Sequence, residues 1–383
     1  MNNNKKILHI ITVSFVINHF FGKQFVYLKQ KTDNEYHLGC SPSEDFIKHS
    51  TELEYIPFEV EITRDISPLK DLRAIIKIYQ YIKINKIDKV VGHTPKGGMV
   101  AMIAAFLANV SERVYFRHGI IYETSTGLKK KLLKNIDRLT GFFATKVVCV
   151  SNSVKQISEN DKLNNPHKNL ILGFGTCNGI DTENRFNPDN KSLEIITSLR
   201  ENYKINSKDR IVGYVGRLVK DKGIDDLINA WDLLKENFSN AKLLLVGPIE
   251  EKDSISEYSK HQIMSDPTII YEDFVTDASP YFSLMDIFVL PTYREGFPTV
   301  SLEASAMNLP VIITKATGCE EAIVENQTGL FISNNPNDIA DKILFYLKNE
   351  NIAKMHGKQG RSFVRENFEQ TKIWDLIIKK IDI

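Results

Sequence analysis

The stretch REGFPTVSLE, residues 294–303, places Glu295 and Glu303 eight positions apart around a Gly-Phe-Pro turn. The apolar run DIFVLP before it predicts a buried strand, and PTVSLEASAM after it predicts a helix with Pro298 in its first turn. Backbone N–H groups at Thr299 and Val300 would then favour an anion at the helix start. Glu303 leans back toward the same end and can accept from a ribose diol, while Glu295 is expected to reach sugar hydroxyls. The structural alternative is equally good for each residue taken alone: Glu295 is then an ordinary charged loop residue, and Glu303 an acidic residue that stabilises a helix start.

A second group of charges lies in YVGRLVKDKGIDDL, where a strand is predicted to end at Gly216 and a helix to begin near Ile224. The connecting loop carries Arg217 and Lys222. A guanidinium fork with an ammonium group can hold a diphosphate and stabilise it as a leaving group without a metal. The chain has no Asp-x-Asp pair, which makes a metal-held phosphate the poorer hypothesis. Solvated loop cations are the structural alternative for this segment.

Length and composition indicate a folded protein of two to three domains. The chain has 383 residues, of which 42% are hydrophobic and 25% charged, and its formal net charge is +1, so no nucleic-acid partner is expected. Four cysteines occur without a CxxC pair, which argues against a zinc site and a disulfide framework and fits a reducing cytoplasm. The N-terminus reads as a first strand rather than a signal peptide. No apolar run approaches the roughly 20 residues of a membrane span, so membrane contact would be peripheral.

Short β-rich runs alternate with amphipathic stretches twice along the chain. This pattern predicts the α/β class, with two Rossmann-like doubly wound domains that face a cleft at the carboxyl ends of their strands. We expect one such domain over 1–190 and a second over 191–360. The segment 361–383 is helical by its period and is expected to cross back to the first domain.

In combination these motifs resemble a known family. GRLVKDKGIDDLINA, followed by LPTYREGFPTVSLEASAMNLPVI, is similar to the donor-binding half of the retaining family-four glycosyltransferases with the GT-B fold. The resemblance implies that the domain over 1–190 binds the acceptor and that the domain over 191–360 binds the nucleotide sugar. Within the second domain it implies that Arg217 and Lys222 bind the donor diphosphate, Glu303 the ribose and Glu295 the donor sugar. It also implies no metal and no cofactor beyond the nucleotide-sugar co-substrate, for which UDP is the expected nucleotide. The implied donor-binding set is Gly22, Gly216, Arg217, Lys222, Phe274, Glu295, Gly296, Phe297, Pro298, Thr299, Val300 and Glu303.

Two of the implied positions lie outside those motifs. Gly22, in HFFGKQ, stands where relatives carry a glycine-rich loop beside the donor phosphates, although here one glycine replaces the usual pair. Phe274 follows a predicted strand and would lie near the base.

His118, in RVYFRHG, ends a predicted strand and begins a loop. A structural histidine is the alternative reading. In the resembling family a His-Gly at this place contacts the donor sugar and supports catalysis. The implied catalytic set is therefore His118, Glu295, Arg217 and Lys222.

The stretch GLKKKLLKNIDRLTGFF predicts a basic amphipathic helix, with cations between 129 and 138. Such a helix can lie on anionic lipid, and a solvated charged face is the alternative. Its cations are Lys129, Lys130, Lys131, Lys134 and Arg138. The first half as a whole, including HTPKGG and ETSTGLKKKLL, is similar to bacterial capsule, O-antigen and exopolysaccharide glycosyltransferases that extend undecaprenyl-diphosphate-linked sugars. This implies a lipid-linked saccharide acceptor and a cytoplasmic protein at the inner face of the cytoplasmic membrane.

The expected reaction is retaining transfer of an N-acetylhexosamine or related hexose from a UDP-sugar to that acceptor. The alternatives on the same fold are a nucleotide-sugar 2-epimerase, a phosphorylase and a non-catalytic nucleotide-sugar sensor. A dinucleotide-dependent dehydrogenase is disfavoured, because no GxGxxG follows the first strand of either half.

Overall fold

A computed structural model describes residues 4–65, 67–251 and 253–383. Its thirteen strands are β1 Lys6–Ile10, β2 Glu35–Cys40, β3 Ile56–Glu59, β4 Lys89–His93, β5 Glu112–Arg117, β6 Lys146–Cys149, β7 Asn169–Leu170, β8 Arg210–Val215, β9 Ala241–Val246, β10 Ile269–Glu272, β11 Ile287–Leu290, β12 Val311–Thr314 and β13 Gly329–Ile332. Its α-helices are α1 Ile17–Phe20, α2 Gln24–Lys31, α3 Glu44–Glu52, α4 Pro68–Asn85, α5 Pro95–Leu107, α6 Gly127–Phe143, α7 Asn152–Asn160, α8 Leu193–Asn202, α9 Ile224–Lys235, α10 Glu257–Ser265, α11 Ser279–Phe282, α12 Thr299–Ala306, α13 Pro336–Lys348, α14 Glu350–Asn367 and α15 Gln370–Ile381.

The chain divides into two compact units, one formed by residues up to Gly179 together with Gln370–Ile383, and one formed by Ile180–Glu369. The first unit has a seven-stranded parallel sheet in the order β3-β2-β1-β4-β5-β6-β7. Its five inner strands, β2, β1, β4, β5 and β6, are mostly buried, as expected for a doubly wound sheet covered on both faces. One face packs against α4 and α5. The other packs against α2 and α15, so the last helix belongs to this unit.

The second unit has a six-stranded parallel sheet in the order β10-β9-β8-β11-β12-β13. In both units the strand order reverses beside the first strand, between β1 and β4 and between β8 and β11. Ligands of open α/β sheets bind at the carboxyl ends of the strands on either side of such a reversal. The predicted α/β class with two Rossmann-like domains is confirmed.

The unit boundaries differ from the predicted ones. The first boundary follows Gly179 instead of 190, and the returning segment begins at Gln370 instead of 361. The Ile180 N–H donates to the Phe368 carbonyl at 2.8 Å, so both chain crossings are fixed in the second unit. Helix α14 ends at Asn367 and packs on α12, which leaves only α15 for the first unit. The helical period alone does not reveal this break, because α14 and α15 are both amphipathic.

Among the described residues, no helix is both long enough and apolar enough to cross a membrane.

Candidate functional site

The loops that carry the charged motifs of the second unit follow β8 and β11, the two strands at its reversal point. Arg217 and Lys222 lie after β8, and Glu295 lies after β11. Parallel strands present their carboxyl ends at one edge, so strands that are distant in sequence bring these side chains to the same edge of the sheet.

Lys222 and Glu295 form an ion pair with 2.5 Å between Nζ and Oε1. Their side chains are 16% and 17% exposed, so the pair is largely withdrawn from water. Both charges are also close to the buried Cys319 thiol, whose pKa is raised first by burial and then by Glu295, with Lys222 opposing. From the sequence, these residues are expected to bind different parts of one ligand, and in the structure the two side chains are in contact.

Arg217 lies at the outer side of the same loop. Its guanidinium donates to Glu250 at 2.8 Å, and its side chain is about half exposed. The buried Tyr214 hydroxyl donates to the Arg217 carbonyl at 2.9 Å. Burial raises the pKa of Tyr214, with Glu295 adding to the rise and Arg217 opposing it. Charges from both loops therefore act on one buried tyrosine at the strand ends.

Two glycines, one in the loop after β8 and one in the loop after β12, allow close contact with the loop after β11. Gly223 has φ +70°, and a Cβ there would lie 2.0 Å from the Pro291 carbonyl oxygen. Gly318 has φ +82°, and its Cβ would lie 2.5 Å from the Glu295 carbonyl oxygen. Only glycine fits at these positions, so the backbone around Lys222 and Glu295 is held by direct contact between loops.

Helix α12 begins at Thr299, and Pro298 is its N-cap residue rather than a residue of its first turn. The Thr299 N–H, which was expected to be available to an anion, donates to the Phe297 carbonyl at 2.9 Å within the turn. The Val300 N–H remains in the first helical turn, where the helix supplies no acceptor. The rings of Phe297 and Phe368 pack with 5.5 Å between their centroids, and the Gly296 carbonyl lies against Gly318.

Glu303 lies one turn into α12, as predicted. Burial raises the pKa of its carboxyl from 4.5 to about 7, with Arg185 lowering it and Asp277 raising it. Arg185 and Asp277 form an ion pair at 3.1 Å. Neither residue was predicted from the sequence, and Arg185 lies in a stretch whose pattern indicates only a polar connection.

A second missed contact joins the two site loops. Arg294 forms an ion pair with Asp221 at 2.9 Å, and the Tyr293 N–H donates to the Asp221 carbonyl at 3.0 Å. The acidic residue between Lys220 and Lys222 therefore ties the β8 loop to the β11 loop. In the sequence, only its position between two lysines hints at this role of Asp221.

Two further predicted donor-binding residues are placed as follows. Gly216 follows β8 with φ +147° and donates from its N–H to the Val246 carbonyl at 2.9 Å. Phe274 lies in the loop after β10 with 67% of its surface exposed. An exposed aromatic ring after a strand is available to stack on a base.

His118 and Gly22 belong to the first unit. His118 directly follows β5, as predicted, and its ring stacks on Phe20 with 4.2 Å between ring centroids. Its Nε2 lies 3.2 Å from Nδ1 of His93. Gly22 lies in the turn between α1 and α2 with φ +48°.

The predicted basic helix is α6. Its four outward apolar side chains are 43% to 84% exposed, and its one acidic residue, Asp137, is buried in an ion pair with Arg117. Lys134 pairs with Asp161 at 2.6 Å, while Lys129, Lys130 and Lys131 are exposed. The outward apolar side chains are Leu128, Leu132, Leu139 and Phe142.

Within the described ranges no group of three or more His, Cys, Asp or Glu side chains is arranged to hold a metal ion. Arg217 and Lys222, the cations predicted to hold a diphosphate, both have carboxylate partners.

Comparisons with known proteins match both halves of the chain. Residues 196–363 match the family described as glycosyl transferases group 1, and residues 6–151 match glycosyl transferase 4-like. The capsular polysaccharide biosynthesis glycosyltransferase CapM of Staphylococcus aureus is 32% identical over 97% of this chain and 95% of its own. The Escherichia coli UDP-Gal:alpha-D-GlcNAc-diphosphoundecaprenol alpha-1,3-galactosyltransferase is 26% identical over 89% of this chain and 84% of its own.

The fold also has solved counterparts. The crystal structure of Anabaena Alr3699/HepE in complex with UDP-glucose superposes with a TM-score of 0.81 at 18% identity, over 98% of this chain and 99% of that one. At this identity the likeness concerns the fold. Together with the sequence relatives, it shows that the chain belongs to the family-four glycosyltransferases with the GT-B fold, of the bacterial capsule, O-antigen and exopolysaccharide type.

Proposed function

We propose that this glycosyltransferase moves a sugar, an N-acetylhexosamine or related hexose, from a UDP-sugar to an undecaprenyl-diphosphate-linked saccharide, with retention at the anomeric carbon. The observation that carries the proposal is the Lys222–Glu295 pair at the reversal point of the second sheet. It joins a cation suited to a diphosphate to a carboxylate suited to sugar hydroxyls, as a nucleotide-sugar site requires. The E. coli relative named above has UDP-Gal as its donor and a diphosphoundecaprenol-linked acceptor in its name, which supports both substrate classes.

The proposed step is transfer at the front face of the sugar. The bond between C1 and the β-phosphate oxygen breaks, and the acceptor oxygen bonds to C1 on the same face. The acceptor's hydroxyl proton passes to the departing phosphate oxygen. UDP leaves with the bonding electron pair, and its developing negative charge is met by Lys222, Arg217 and the start of α12. The reaction needs no protein nucleophile below C1, and its charge stabilisation comes from groups already fixed in place.

The ion pairs of the site explain how its cations are kept in position. Lys222 and Arg217 each contact a carboxylate, Glu295 and Glu250 respectively. An incoming diphosphate would compete for Lys222, and Glu295 would turn its oxygens to sugar hydroxyls. Because Lys222 is mostly buried, its interaction with phosphate is less weakened by water than that of the half-exposed Arg217. Lys222 is therefore the residue with the larger expected catalytic role.

The direct experiment is a panel of UDP- and GDP-sugars with undecaprenyl-diphosphate-linked acceptors, followed by NMR of the product's anomeric centre. A product with the donor's anomeric configuration supports the proposal, and an inverted product contradicts the retaining mechanism. Two further incubations test the alternatives. Epimerisation of donor alone would indicate a 2-epimerase, and turnover that requires inorganic phosphate would indicate a phosphorylase. Donor binding without transfer to any acceptor would indicate a sensor.

Donor affinity is expected to depend on the ionisation of Glu303. Burial raises its pKa to about 7, whereas acceptance of two ribose hydroxyls requires the carboxylate. Binding should therefore release a proton below pH 7, and affinity should rise with pH through about 7 and then level off. We expect affinity for a UDP-sugar to be about tenfold lower at pH 6 than at pH 8. Calorimetry with a UDP-sugar, whose phosphates do not titrate in this range, measures both effects.

The matched control is Glu303→Gln, which keeps the side-chain shape but has no proton to release. Its affinity for a UDP-sugar should be low and independent of pH over the same range. If the variant showed the same slope as the wild type, another group would be responsible and the ribose role of Glu303 would be wrong.

The outer face of the first unit supports a membrane contact, which would place the protein at the inner face of the cytoplasmic membrane. Helices α4, α5 and α6 pack side by side on one face of the sheet. The only acidic residues within α4 and α6 are Asp71 and Asp137, and both are buried against a cation. The exposed surface of the two helices is therefore cationic and apolar, which complements an anionic bilayer.

Helix α4 extends this surface beyond the predicted stretch 129–138. Its outward side chains include Leu69, Leu72, Ile76 and Tyr79, at alternating spacings of three and four and between 37% and 75% exposed. Lys70, Arg73 and Lys77 lie beside this row and are exposed. A second amphipathic face of the same character, on the other side of α5 from α6, gives a broad contact, which suits an enzyme whose acceptor is held in a bilayer.

Removing charge from α6 should weaken this contact. The variant Lys129→Gln/Lys130→Gln/Lys131→Gln is expected to bind vesicles of phosphatidylglycerol roughly 100-fold more weakly, at about 1 kcal/mol per cation. Co-sedimentation with phosphatidylglycerol and with phosphatidylcholine vesicles measures it. The matched control, Lys348→Gln/Lys354→Gln/Lys358→Gln, removes the same charge from the second unit and should leave binding unchanged. Equal binding to the two lipids, or an equal loss in the control, would contradict the proposed surface.

A further inference from the structure

Three histidines of the first unit lie on three adjacent strands near the reversal point. His9 lies in β1, His93 ends β4, and His118 directly follows β5. The register pairs His9 with Val91, two residues before His93, and pairs His93 with Phe116, two residues before His118. Side chains two apart on a strand share a face, so the histidines form a diagonal row on one face that steps toward the carboxyl edge.

The rings are connected by hydrogen bonds along this row. His9 Nδ1 lies 3.1 Å from His93 Nε2, and His93 Nδ1 lies 3.2 Å from His118 Nε2. His9 and His93 are buried among Phe21, Phe25 and Phe116. Burial, with the charge of Lys89, lowers the pKa of His9 to about 3, and burial lowers the pKa of His93 well below its usual value. Both rings are therefore neutral, and each carries a single N–H.

Neutral rings in such a row must all point the same way. Either every proton is on Nδ1 and each ring donates toward His118, or every proton is on Nε2 and each ring donates toward His9. The end of the row decides between them, because Nε2 of His9 is buried and has no hydrogen-bond partner among the described residues. The second arrangement would leave an N–H donor there without an acceptor. Orphaned buried donors are rarer than acceptors with an unused lone pair, so the first arrangement is favoured.

We propose that His9 and His93 are positioning residues that fix His118 as the Nδ1–H tautomer, with its Nε2 lone pair occupied by the His93 N–H. His118 then presents a hydrogen-bond donor and has no free lone pair with which to accept a proton. This inference rests on the proposed function for its consequence. If His118 contacts the donor sugar, it does so as a donor to an oxygen and not as a general base.

The tautomer is measured directly on the unliganded protein by long-range ¹H–¹⁵N correlation of histidine rings, with the His118 signal assigned from a His118→Asn sample. We expect the proton of His118 on Nδ1. A wild-type spectrum with that proton on Nε2 would overturn the proposal. The measurement needs no donor or acceptor, so failure of this proposal is separate from failure of the proposed reaction.

Variants test whether His93 is the cause. His93→Phe keeps an aromatic ring but cannot donate, so His118 should lose the Nδ1–H preference. His93→Gln can still donate from its amide and should restore it. His167→Gln, at an exposed position outside the row, should leave the His118 signal unchanged. A His118 tautomer that is the same in His93→Phe and the wild type would show that the row does not set it.

Activity supplies an independent measurement. The amide nitrogen of Asn can replace the Nδ1–H donor of histidine, whereas that of Gln corresponds to Nε2. His118→Asn should therefore retain at least tenfold more kcat/KM than His118→Gln. The reverse order would contradict the assigned donor atom.

Discussion

Lys222→Ala is expected to lower kcat by about 100- to 1,000-fold, the usual effect of removing one fixed group that stabilises transition-state charge. The ammonium group is mostly buried and sits within a loop held by contact with the β11 loop. Water that enters the space left by the side chain would have to reorganise as the diphosphate leaves, whereas Lys222 is already oriented. Because the charge grows during the reaction, kcat should fall more than donor affinity. Steady-state kinetics with a fixed acceptor, together with calorimetric donor affinity, measures the two effects separately.

Lys220→Ala is the matched control, since Lys220 lies in the same short 3₁₀ helix and is exposed. It should change kcat less than twofold. Lys222→Arg keeps the charge but replaces a compact ammonium by a planar fork, so it should recover part of the activity. Wild-type turnover in Lys222→Ala would mean that the leaving group is stabilised elsewhere, and the proposed mechanism would be wrong.

Because Lys222 and Glu295 form an ion pair, the effects of Lys222→Ala and Glu295→Gln on stability depend on each other. In Lys222→Ala, the mostly buried Glu295 loses its cation, which adds a cost unrelated to catalysis. Glu295→Gln in that background removes this cost, so the double variant should be more stable than Lys222→Ala alone. Thermal unfolding of the four proteins of the cycle separates this structural cost from the kinetic effect.

The architecture could be predicted from the sequence because it depends on local patterns. Alternating buried strands and amphipathic helices specify a doubly wound sheet wherever they repeat. The boundaries depend instead on single contacts, such as the hydrogen bond from Ile180 to Phe368, which joins positions far apart in the chain. No periodicity records that contact. The predicted limit at 190 followed a polar stretch and that at 361 followed the helical period, so both differ from the boundaries in the structure.

The candidate site was predictable to the extent that each residue has a local marker. Lys222 and Glu295 follow strands and precede helices, so their place at a sheet edge could be predicted. Their pairing could not, because it requires β8 and β11 to be neighbours, and a strand order is not visible in either motif. The His9–His93–His118 row was missed for the same reason. Only the strand register shows that each ring lies two residues nearer the carboxyl edge of the sheet than the ring before it.

Gly223→Ala is expected to destabilise the second unit by about 3 kcal/mol or more and to abolish donor binding. A left-handed conformation costs an L-residue about 1–2 kcal/mol, and crowding of a packed region typically adds 1–3 kcal/mol. Both apply at Gly223, where φ is +70° and the new Cβ would lie 2.0 Å from the Pro291 carbonyl oxygen. Relief of this contact must separate the β8 and β11 loops, which carries Lys222 away from Glu295. Hydrogen exchange of peptides from β8 and β11 measures the stability, and calorimetry measures donor binding.

Gly127→Ala separates the two causes. Gly127 also has a left-handed φ, +58°, but a Cβ there would have no atom within 4 Å. It should therefore show only the conformational cost of about 1–2 kcal/mol, measured on peptides of α6, with donor binding retained. If Gly223→Ala were no more destabilising than Gly127→Ala and still bound donor, the loops could separate without consequence. The Lys222–Glu295 geometry would then not depend on their close approach, and the site would have to be held by its ion pairs alone.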